Sequence, residues 1–187
     1  ARGRVEPDEV VFILGTGTIG SIILQTWRAK GVKKIICCDI DDASLARAKE
    51  YGADEVINSR TQNVVERVKE ITKGCGVTVA FDSACFPGSL AMCLQPGIIC
   101  NAGRMVPMGF CTDFEHISQA MINMREIDII GSRMSQNAFE PTIQRMEAGE
   151  LHTEGIATMC IPFAEVEKVF AYMDHPVPES KKMVIMF

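Results

Sequence analysis

Along most of the chain, continuous apolar runs alternate with segments in which apolar residues recur at helical spacing. This pattern predicts a regular succession of strands and helices. Continuous apolar runs such as 10–14 are typical of strands that are buried on both faces of a sheet. After this run, Ile19, Ile22, Ile23 and Trp27 recur at the spacing of one helical face. The predicted strands cover residues 10–14, 33–38, 55–58, 77–82, 98–101 and 127–132.

The segments between these runs show helical periodicity, and together they predict a doubly wound α/β fold. Helices are expected over residues 18–30, 42–51, 61–73, 87–94 and 113–124, whereas residues 105–110 are expected to form a loop. Right-handed crossovers would wind the six strands into one parallel sheet that is covered on both faces.

The pattern changes beyond residue 133. A helix over 139–149, a strand over 156–161, a helix over 163–173 and a closing strand over 183–187 are expected. These four elements are too few for an independent core of ordinary size. We therefore divide the chain into a domain of residues 1–134 and a short α+β C-terminal segment of residues 135–187.

Composition points to small-molecule chemistry. The chain has 187 residues, of which 47% are hydrophobic, and this suffices for one substantial core. Its net charge is -5, and no basic run exceeds two lysines, so neither a nucleic acid nor an anionic membrane surface is expected as a partner. No apolar run approaches the ~20 residues of a membrane span. A soluble, cytoplasmic protein is expected.

The eight cysteines lack the Cys-x-x-Cys spacing of a zinc knuckle or a redox pair. In a reducing cytoplasm most of them are expected to be buried small hydrophobic residues. The chain does not begin with Met, and the first strand follows after a few residues. We expect a piece of a longer protein, although processing would leave the same sequence.

A glycine-rich turn is the strongest candidate for a ligand site. The first strand ends in Gly15-Thr16-Gly17-Thr18-Ile19-Gly20, which matches Gly-x-Gly-x-x-Gly and leads into a helix. In a dinucleotide site the first glycine permits a tight turn, the second lets the backbone approach a pyrophosphate, and the third lets the helix pack on the sheet. The N–H groups of the first helical turn would then face the anion.

The second strand ends in an acidic residue at the position that a dinucleotide site requires. Asp39 follows Gly20 by 19 residues, which fits a carboxylate that binds ribose hydroxyls. A carboxylate repels a 2′-phosphate and no Arg follows it directly, so NAD is favoured over NADP. The alternative is an aspartate that only ends the strand or starts a turn, since Asp41 and Asp42 follow.

Other catalytic patterns are missing from the sequence. Neither Tyr51 nor Tyr172 begins the Tyr-x-x-x-Lys motif of a short-chain dehydrogenase, and the three histidines have no ligand spacing. There is no Gly-x-Ser-x-Gly motif and no P-loop. A methyltransferase would share the sheet, but the glycine spacing together with Asp39 favours a dinucleotide. We predict no catalytic residue and no metal ligand in this chain.

Taken together, the motifs resemble the nucleotide-binding half of the medium-chain dehydrogenase superfamily, in particular zinc-dependent alcohol and polyol (sorbitol-type) dehydrogenases. The resemblance covers essentially all 187 residues and implies a Rossmann fold. The residues that carry it are 11–20, Asp39-Ile40, 46–54, Gln95-Pro96-Gly97, Ile130-Gly131-Ser132-Arg133 and Ile161-Pro162-Phe163.

The resemblance implies a set of cofactor contacts. The three glycines and the residues between them would lie against the pyrophosphate, with Ile19 near the nicotinamide. Asp39 and Ile40 would contact the adenosine, and Ser132 and Arg133 would approach the cofactor after the sixth strand. For Arg133 the alternative is a surface ion pair. Lys182 occupies the place of a basic pyrophosphate contact in alcohol dehydrogenases, although an ordinary surface lysine is favoured there.

The resemblance also implies what the chain lacks. In the family the catalytic zinc ligands and most of the substrate pocket lie upstream of the first strand. The C-terminal segment would then be the part that packs on that catalytic domain. The sixth strand, at residues 127–130, would pair between the subunits of a homodimer.

Three hypotheses follow. The first is the NAD(H)-binding domain of a zinc-dependent dehydrogenase that interconverts a secondary alcohol or polyol and a ketone, so that the chain alone binds the cofactor without turnover. The second is a non-catalytic module whose assembly responds to the nucleotide. The third is a member of the zinc-free quinone-reductase branch of the superfamily.

Overall fold

A six-stranded parallel sheet forms the centre of the computed structural model, which describes residues 2–134 and 137–187. The strand order is β3-β2-β1-β4-β5-β6, so the direction of winding reverses between β1 and β4. In such sheets ligands bind at the carboxyl edge beside this reversal. The strands are β1 (Val10–Leu14), β2 (Lys34–Asp39), β3 (Glu55–Asn58), β4 (Val77–Asp82), β5 (Ile99–Pro107) and β6 (Asp128–Ile129).

Helices connect the strands, as the apolar periodicity predicts. Asp41 caps the second helix and Asn63 caps the third, each by accepting a hydrogen bond from a backbone N–H of the first turn. The helices are α1 (Thr18–Ala29), α2 (Asp42–Glu50), α3 (Val64–Thr72), α4 (Ser89–Cys93), α5 (Gln119–Asn123), α6 (Phe139–Glu147) and α7 (Glu167–Asp174).

Two hydrophobic clusters lie on opposite faces of the sheet. Alternate residues of β1 point to each face. Val11 and Ile13 belong to the cluster that includes Leu24 of α1, whereas Phe12 and Leu14 belong to the cluster that includes residues of α3. All four β1 side chains are buried. The predicted doubly wound sheet, covered on both faces, is therefore confirmed.

The C-terminal segment ends in a separate two-stranded parallel sheet, made of β7 (Met159–Pro162) and β8 (Met183–Met186). It contacts the helices beside the glycine turn. Gln25 of α1 exchanges two hydrogen bonds with the backbone of His152, at 3.1 and 2.6 Å. Tyr51, after α2, donates to the carbonyl of Glu154. The division of the chain at residue 135 stays a prediction, and its first two residues, Ser135 and Gln136, lie outside the described residues.

The fifth strand is longer than predicted. The prediction of a loop at residues 105–110 is therefore wrong for residues 105–107. β5 continues through Ile99–Pro107, although polar and glycine residues interrupt its apolar pattern. Ala102 adopts a positive φ of 55°, and the register with β4 shifts at this place. Met105 and Val106 then pair with β4 again and are buried. Pairing with β4 therefore extends the strand across its irregular part.

The helix predicted over residues 113–124 is also too long, because only Gln119–Asn123 is helical. Ser118 caps it by accepting a hydrogen bond from the third helical residue. Upstream, the Glu115 carboxylate accepts a hydrogen bond from the N–H of Gly88, at 3.0 Å. Glu115 therefore contacts the backbone just before α4, while its own segment is not helical.

The remaining differences concern the ends of elements. The strand predicted over 127–132 is reduced to two residues, after which the Ile130 N–H still donates to Met105, at 2.8 Å. β7 begins three residues later than predicted. The helix predicted over 163–173 begins as a separate 3₁₀ turn, Phe163–Glu165, as is common at helix starts.

The prediction that most cysteines are buried is wrong. Three of the eight are buried, namely Cys37, Cys38 and Cys93, which lie on β2 and α4 against the sheet. The others are partly or fully exposed. Cys160 is an example, since the two-stranded sheet that carries it leaves that side chain uncovered.

In the two described ranges, no helix has both the length and the apolar character that crossing a membrane requires.

Candidate functional site

The glycine turn joins β1 to α1 at the carboxyl edge of the sheet. Gly15 has a φ of +85°, which a residue with a side chain rarely adopts, and a Cβ there would lie 2.8 Å from the backbone nitrogen of Ala84. A Cβ on Gly20 would lie only 1.9 Å from the carbonyl oxygen of Gly15. Both glycines are therefore required by the close approach of strand, loop and helix.

Gly17 differs from its two neighbours, because a Cβ there would meet no atom within 4 Å. Its missing side chain leaves open space in front of the first turn of α1. Gly17 is the N-cap of that 12-residue helix, no side chain caps it, and the first turn holds no acidic residue. The first N–H groups of a helix have no partner within the helix. An anion can therefore approach the backbone here.

Asp39 ties the end of β2 to the glycine turn. Its Oδ2 accepts hydrogen bonds from the backbone N–H of Thr16, at 2.6 Å, and from Thr16 Oγ1, at 2.9 Å. Its Oδ1 accepts from the N–H groups of Ile40, at 2.7 Å, and Asp41, at 3.1 Å. The glycine turn and Asp39, which are related by their spacing in the sequence, are therefore in direct contact.

An open cavity of about 400 Å³ adjoins these residues. Gly15, Gly17 and Asp39 line it, and two apolar side chains, Ile40 and Phe86, contribute to its walls. Ile40 is 52% exposed and Phe86 43%. Sequence reasoning missed Phe86, although an aromatic residue four positions after the end of a strand at this edge was a usable signal.

Ser132 and Arg133 lie elsewhere. They line a second open cavity, of about 560 Å³, whose apolar walls include Ile22 and Met108. The Arg133 guanidinium lies 4.7 Å from the ring centre of Phe110, a cation–π contact. The predicted alternative for Arg133, a surface ion pair, is not formed among the described residues. Ile19, which is 47% exposed, lies on α1 beside the glycine turn.

Two cations that sequence reasoning overlooked lie behind the glycine turn. Arg47 and Lys181 line a small cavity together with residues 16–18. Lys181 Nζ lies 2.5 Å from Asp41 Oδ2 and 3.0 Å from Ser44 Oγ. This ion pair spans 140 positions of the chain, so no local pattern could have indicated it. Lys182 instead bonds through its backbone to Thr158.

The Asp41 carboxylate is favoured in its charged form, although water also reaches it. Hydrogen bonds from Lys181 and Ser44 hold its pKa well below the usual range. Burial has the opposite consequence for the thiols of β2, since it raises the pKa of Cys37 and of Cys38 to about 12. Burial therefore favours the protonated form of these thiols at ordinary pH and lowers their reactivity.

Within residues 2–134 and 137–187, no three His, Cys, Asp or Glu side chains are grouped so that they could hold a metal ion. The described residues therefore do not fit a zinc ion. By contrast, the open backbone at Gly17, the N-terminus of α1 and the Asp39 carboxylate fit a dinucleotide.

Comparison with known proteins identifies the family. Residues 18–148 match the model of the zinc-binding dehydrogenase family. The starvation-sensing protein RspB of Escherichia coli K12 is 29% identical over 187 residues, which are 100% of this chain and 54% of that protein. Sorbitol dehydrogenase of Bacillus subtilis is 30% identical over 159 residues, or 84% of this chain and 44% of that enzyme.

A solved structure agrees with this assignment. A short chain alcohol dehydrogenase (rspB) from Escherichia coli CFT073, complexed with NADH, matches 99% of this chain and 54% of its own with a TM-score of 0.89 and 29% identity. The chain spans about half the length of the relatives it matches. The chain therefore belongs to the zinc-binding dehydrogenase family, of which it forms the nucleotide-binding half.

Proposed function

We propose that this chain binds NAD(H) at the glycine turn and serves as the cofactor-holding half of an alcohol or polyol dehydrogenase. The observation that carries the proposal is the open backbone at Gly17, directly in front of the uncapped first turn of α1. A pyrophosphate there would accept hydrogen bonds from the N–H groups of Thr18 and Ile19 and would meet the positive end of the helix dipole.

The adenosine would occupy the cavity beside β2. Ile40 and Phe86 would enclose the adenine, since both are apolar, exposed and part of that cavity wall. Asp39 would accept the ribose hydroxyls. Its oxygens already accept four hydrogen bonds, and the Thr16 hydroxyl is the donor most easily exchanged, because it can rotate whereas backbone N–H groups cannot.

Asp39 would also select the cofactor. A 2′-phosphate would bring negative charge against its carboxylate, which disfavours NADP. The nicotinamide would extend past Ile19 toward the cavity that Ser132 and Arg133 line. When bound, NAD supplies the hydride acceptor, and this chain's residues hold and orient it. Hydride transfer also needs a substrate site, which we place outside this chain, so we expect binding without turnover.

The substrate class follows the relatives. Sorbitol dehydrogenase is named for a polyol and L-idonate 5-dehydrogenase for a polyhydroxy acid, and the family match is to zinc-binding dehydrogenases. We therefore favour a secondary alcohol or polyol over the substrate of a zinc-free quinone reductase. A cytoplasmic location stays a prediction.

A fluorescence titration with NADH tests the proposal. The full chain should saturate, and Asp39→Ala should weaken binding about 10- to 100-fold, as expected for hydrogen bonds to a charged group worth about 1.5–3 kcal/mol. Asp8→Ala is the matched control, because Asp8 is an exposed acid before β1, at the opposite edge of the sheet. The absence of NADH binding to the wild-type chain would refute the proposal.

We further propose a homodimer that pairs through β6. This strand ends the sheet and is exposed at both of its residues. Sedimentation with and without NADH tests it. A dimer under both conditions supports the proposal, a monomer refutes it, and a change of assembly with NADH would favour the nucleotide-responsive module instead.

A further inference from the structure

Two positively charged side chains beside the glycine turn are placed to bind a ligand as well as to pack against the fold. Arg47, from α2, and Lys181, from the C-terminal segment, line one cavity with Thr16, Gly17 and Thr18. Gly17 lines both this cavity and the open cavity beside Asp39, in which the adenosine would bind. Two cations of distant sequence origin therefore lie next to the place where the pyrophosphate would bind.

Arg47 shares a neighbouring open cavity with Glu50 and Glu154 but is not ion-paired with either of them. In the part of the chain that the structure describes it forms no ion pair, and its nearest polar side-chain contact is Ser44 Oγ at 3.5 Å. It is half-buried, so its charge is screened less than that of a fully exposed arginine. The cavity itself, of about 20 Å³, is too small for a phosphate, so the countercharge would come from an anion bound at the adjoining open backbone of Gly17.

Lys181 does have a partner, which is Asp41, the N-cap of α2. The lysine and aspartate side chains are 40% and 41% exposed, so water competes for both and the pair is weak. A lysine ammonium on a flexible stem can move between two acceptors without a change in the backbone. The stronger charge of a pyrophosphate would then attract it away from Asp41.

We propose that Arg47 and Lys181 are further binding residues for the cofactor's pyrophosphate, and that Asp41 competes with the cofactor for Lys181. This inference rests on the proposed function, because it assigns residues within the same NAD(H) site. It also gives the C-terminal segment a role in binding, since Lys181 reaches the glycine turn from residues that follow the sheet by more than 50 positions.

The competition makes an unusual prediction, since removal of a charge that contacts no cofactor should tighten binding. Asp41→Asn should increase the affinity for NADH about threefold, because Lys181 no longer has to leave an ion pair of ordinary surface strength. Asparagine is as good an N-cap as aspartate, so α2 keeps its first turn. Asp42→Asn is the matched control, because it removes the same charge one position away, where the carboxylate bonds to Asn58 instead of Lys181.

The two cations should show the opposite effect. Lys181→Gln and Arg47→Gln should each weaken NADH and ADP binding about fivefold, and each should leave the binding of adenosine unchanged, because adenosine carries no phosphate. Lys181→Arg should retain most of the affinity. In the Lys181→Gln background, Asp41→Asn should no longer tighten binding. Circular dichroism confirms that each variant is folded.

The outcomes separate this inference from the proposed function. If the wild-type chain does not bind NADH, both fail. Suppose instead that the wild-type chain binds NADH. If the two glutamine variants bind NADH as tightly as the wild type, or if their affinity for adenosine falls as much as their affinity for NADH, the pyrophosphate role is overturned while the proposed function stands. If Asp41→Asn tightens binding as much without Lys181 as with it, the competition is refuted.

Discussion

Substitution of Gly20 by alanine tests how the turn is built, independently of any ligand. The new methyl group would lie 1.9 Å from the carbonyl oxygen of Gly15 and 2.9 Å from Ser83 Oγ, so it must be displaced by more than 1 Å to reach an ordinary contact. Overpacking typically costs about 1–3 kcal/mol. We expect the upper end of this range, because the nearest atoms belong to the backbone of Gly15 and cannot move aside as a flexible side chain can. Ser83 Oγ also donates to that carbonyl, at 2.7 Å.

The other contributions nearly cancel. Disruption of the Ser83 hydrogen bond costs about 1 kcal/mol, whereas alanine is better than glycine inside a helix by about 1 kcal/mol. We therefore expect Gly20→Ala to lower the free energy of unfolding by about 3 kcal/mol. For a chain of this size the melting temperature should fall by about 6–12 °C.

The chain offers both a probe and a control for this measurement. Trp27 is the only tryptophan and is buried on α1, so its fluorescence during urea unfolding reports on the packing of that helix. Gly17→Ala is the control, because its methyl group meets no atom within 4 Å and should cost less than about 1 kcal/mol, although it should weaken NADH binding. Equal unfolding free energies for the two variants would show that the approach of α1 to Gly15 is not as close as described.

Two further predictions concern ionisation and exposure. Cys75 should react with a thiol reagent in the native state, whereas buried Cys37, whose pKa burial raises to about 12, should react only after unfolding; equal labelling of both cysteines, measured by mass spectrometry, would contradict this. Because Lys181 and Ser44 lower the pKa of Asp41 in the folded state, its carboxylate contributes stability above the unfolded pKa of about 4, and this contribution is lost as the pH falls below that value. The difference in urea midpoint between wild type and Asp41→Asn should therefore shrink between pH 6 and pH 3, and a difference that grows on acidification would refute the assignment.

Prediction from sequence succeeded where a local pattern and a tertiary requirement coincide. The apolar run of β1 is buried on both faces, and the glycine spacing matches the positions where a Cβ has no room, at Gly15 and Gly20. It failed where a tertiary contact overrides the local pattern. The continuation of β5 past Ala102 accompanies renewed pairing with β4, and Glu115, in the non-helical first half of the predicted fifth helix, bonds to the backbone before α4.

The sequence by itself therefore determined the fold class, the glycine turn and the acid at the end of β2, because periodicity and fixed spacing along the chain express the geometry of a strand–turn–helix–strand unit. Only the tertiary structure decided which side chains share the cavities around that turn. Lys181 reaches it from the C-terminal segment, 140 positions after its partner Asp41, and such a separation carries no period that could be read in advance. The contacts between distant segments depend on how the elements pack, and packing is a property of the whole chain.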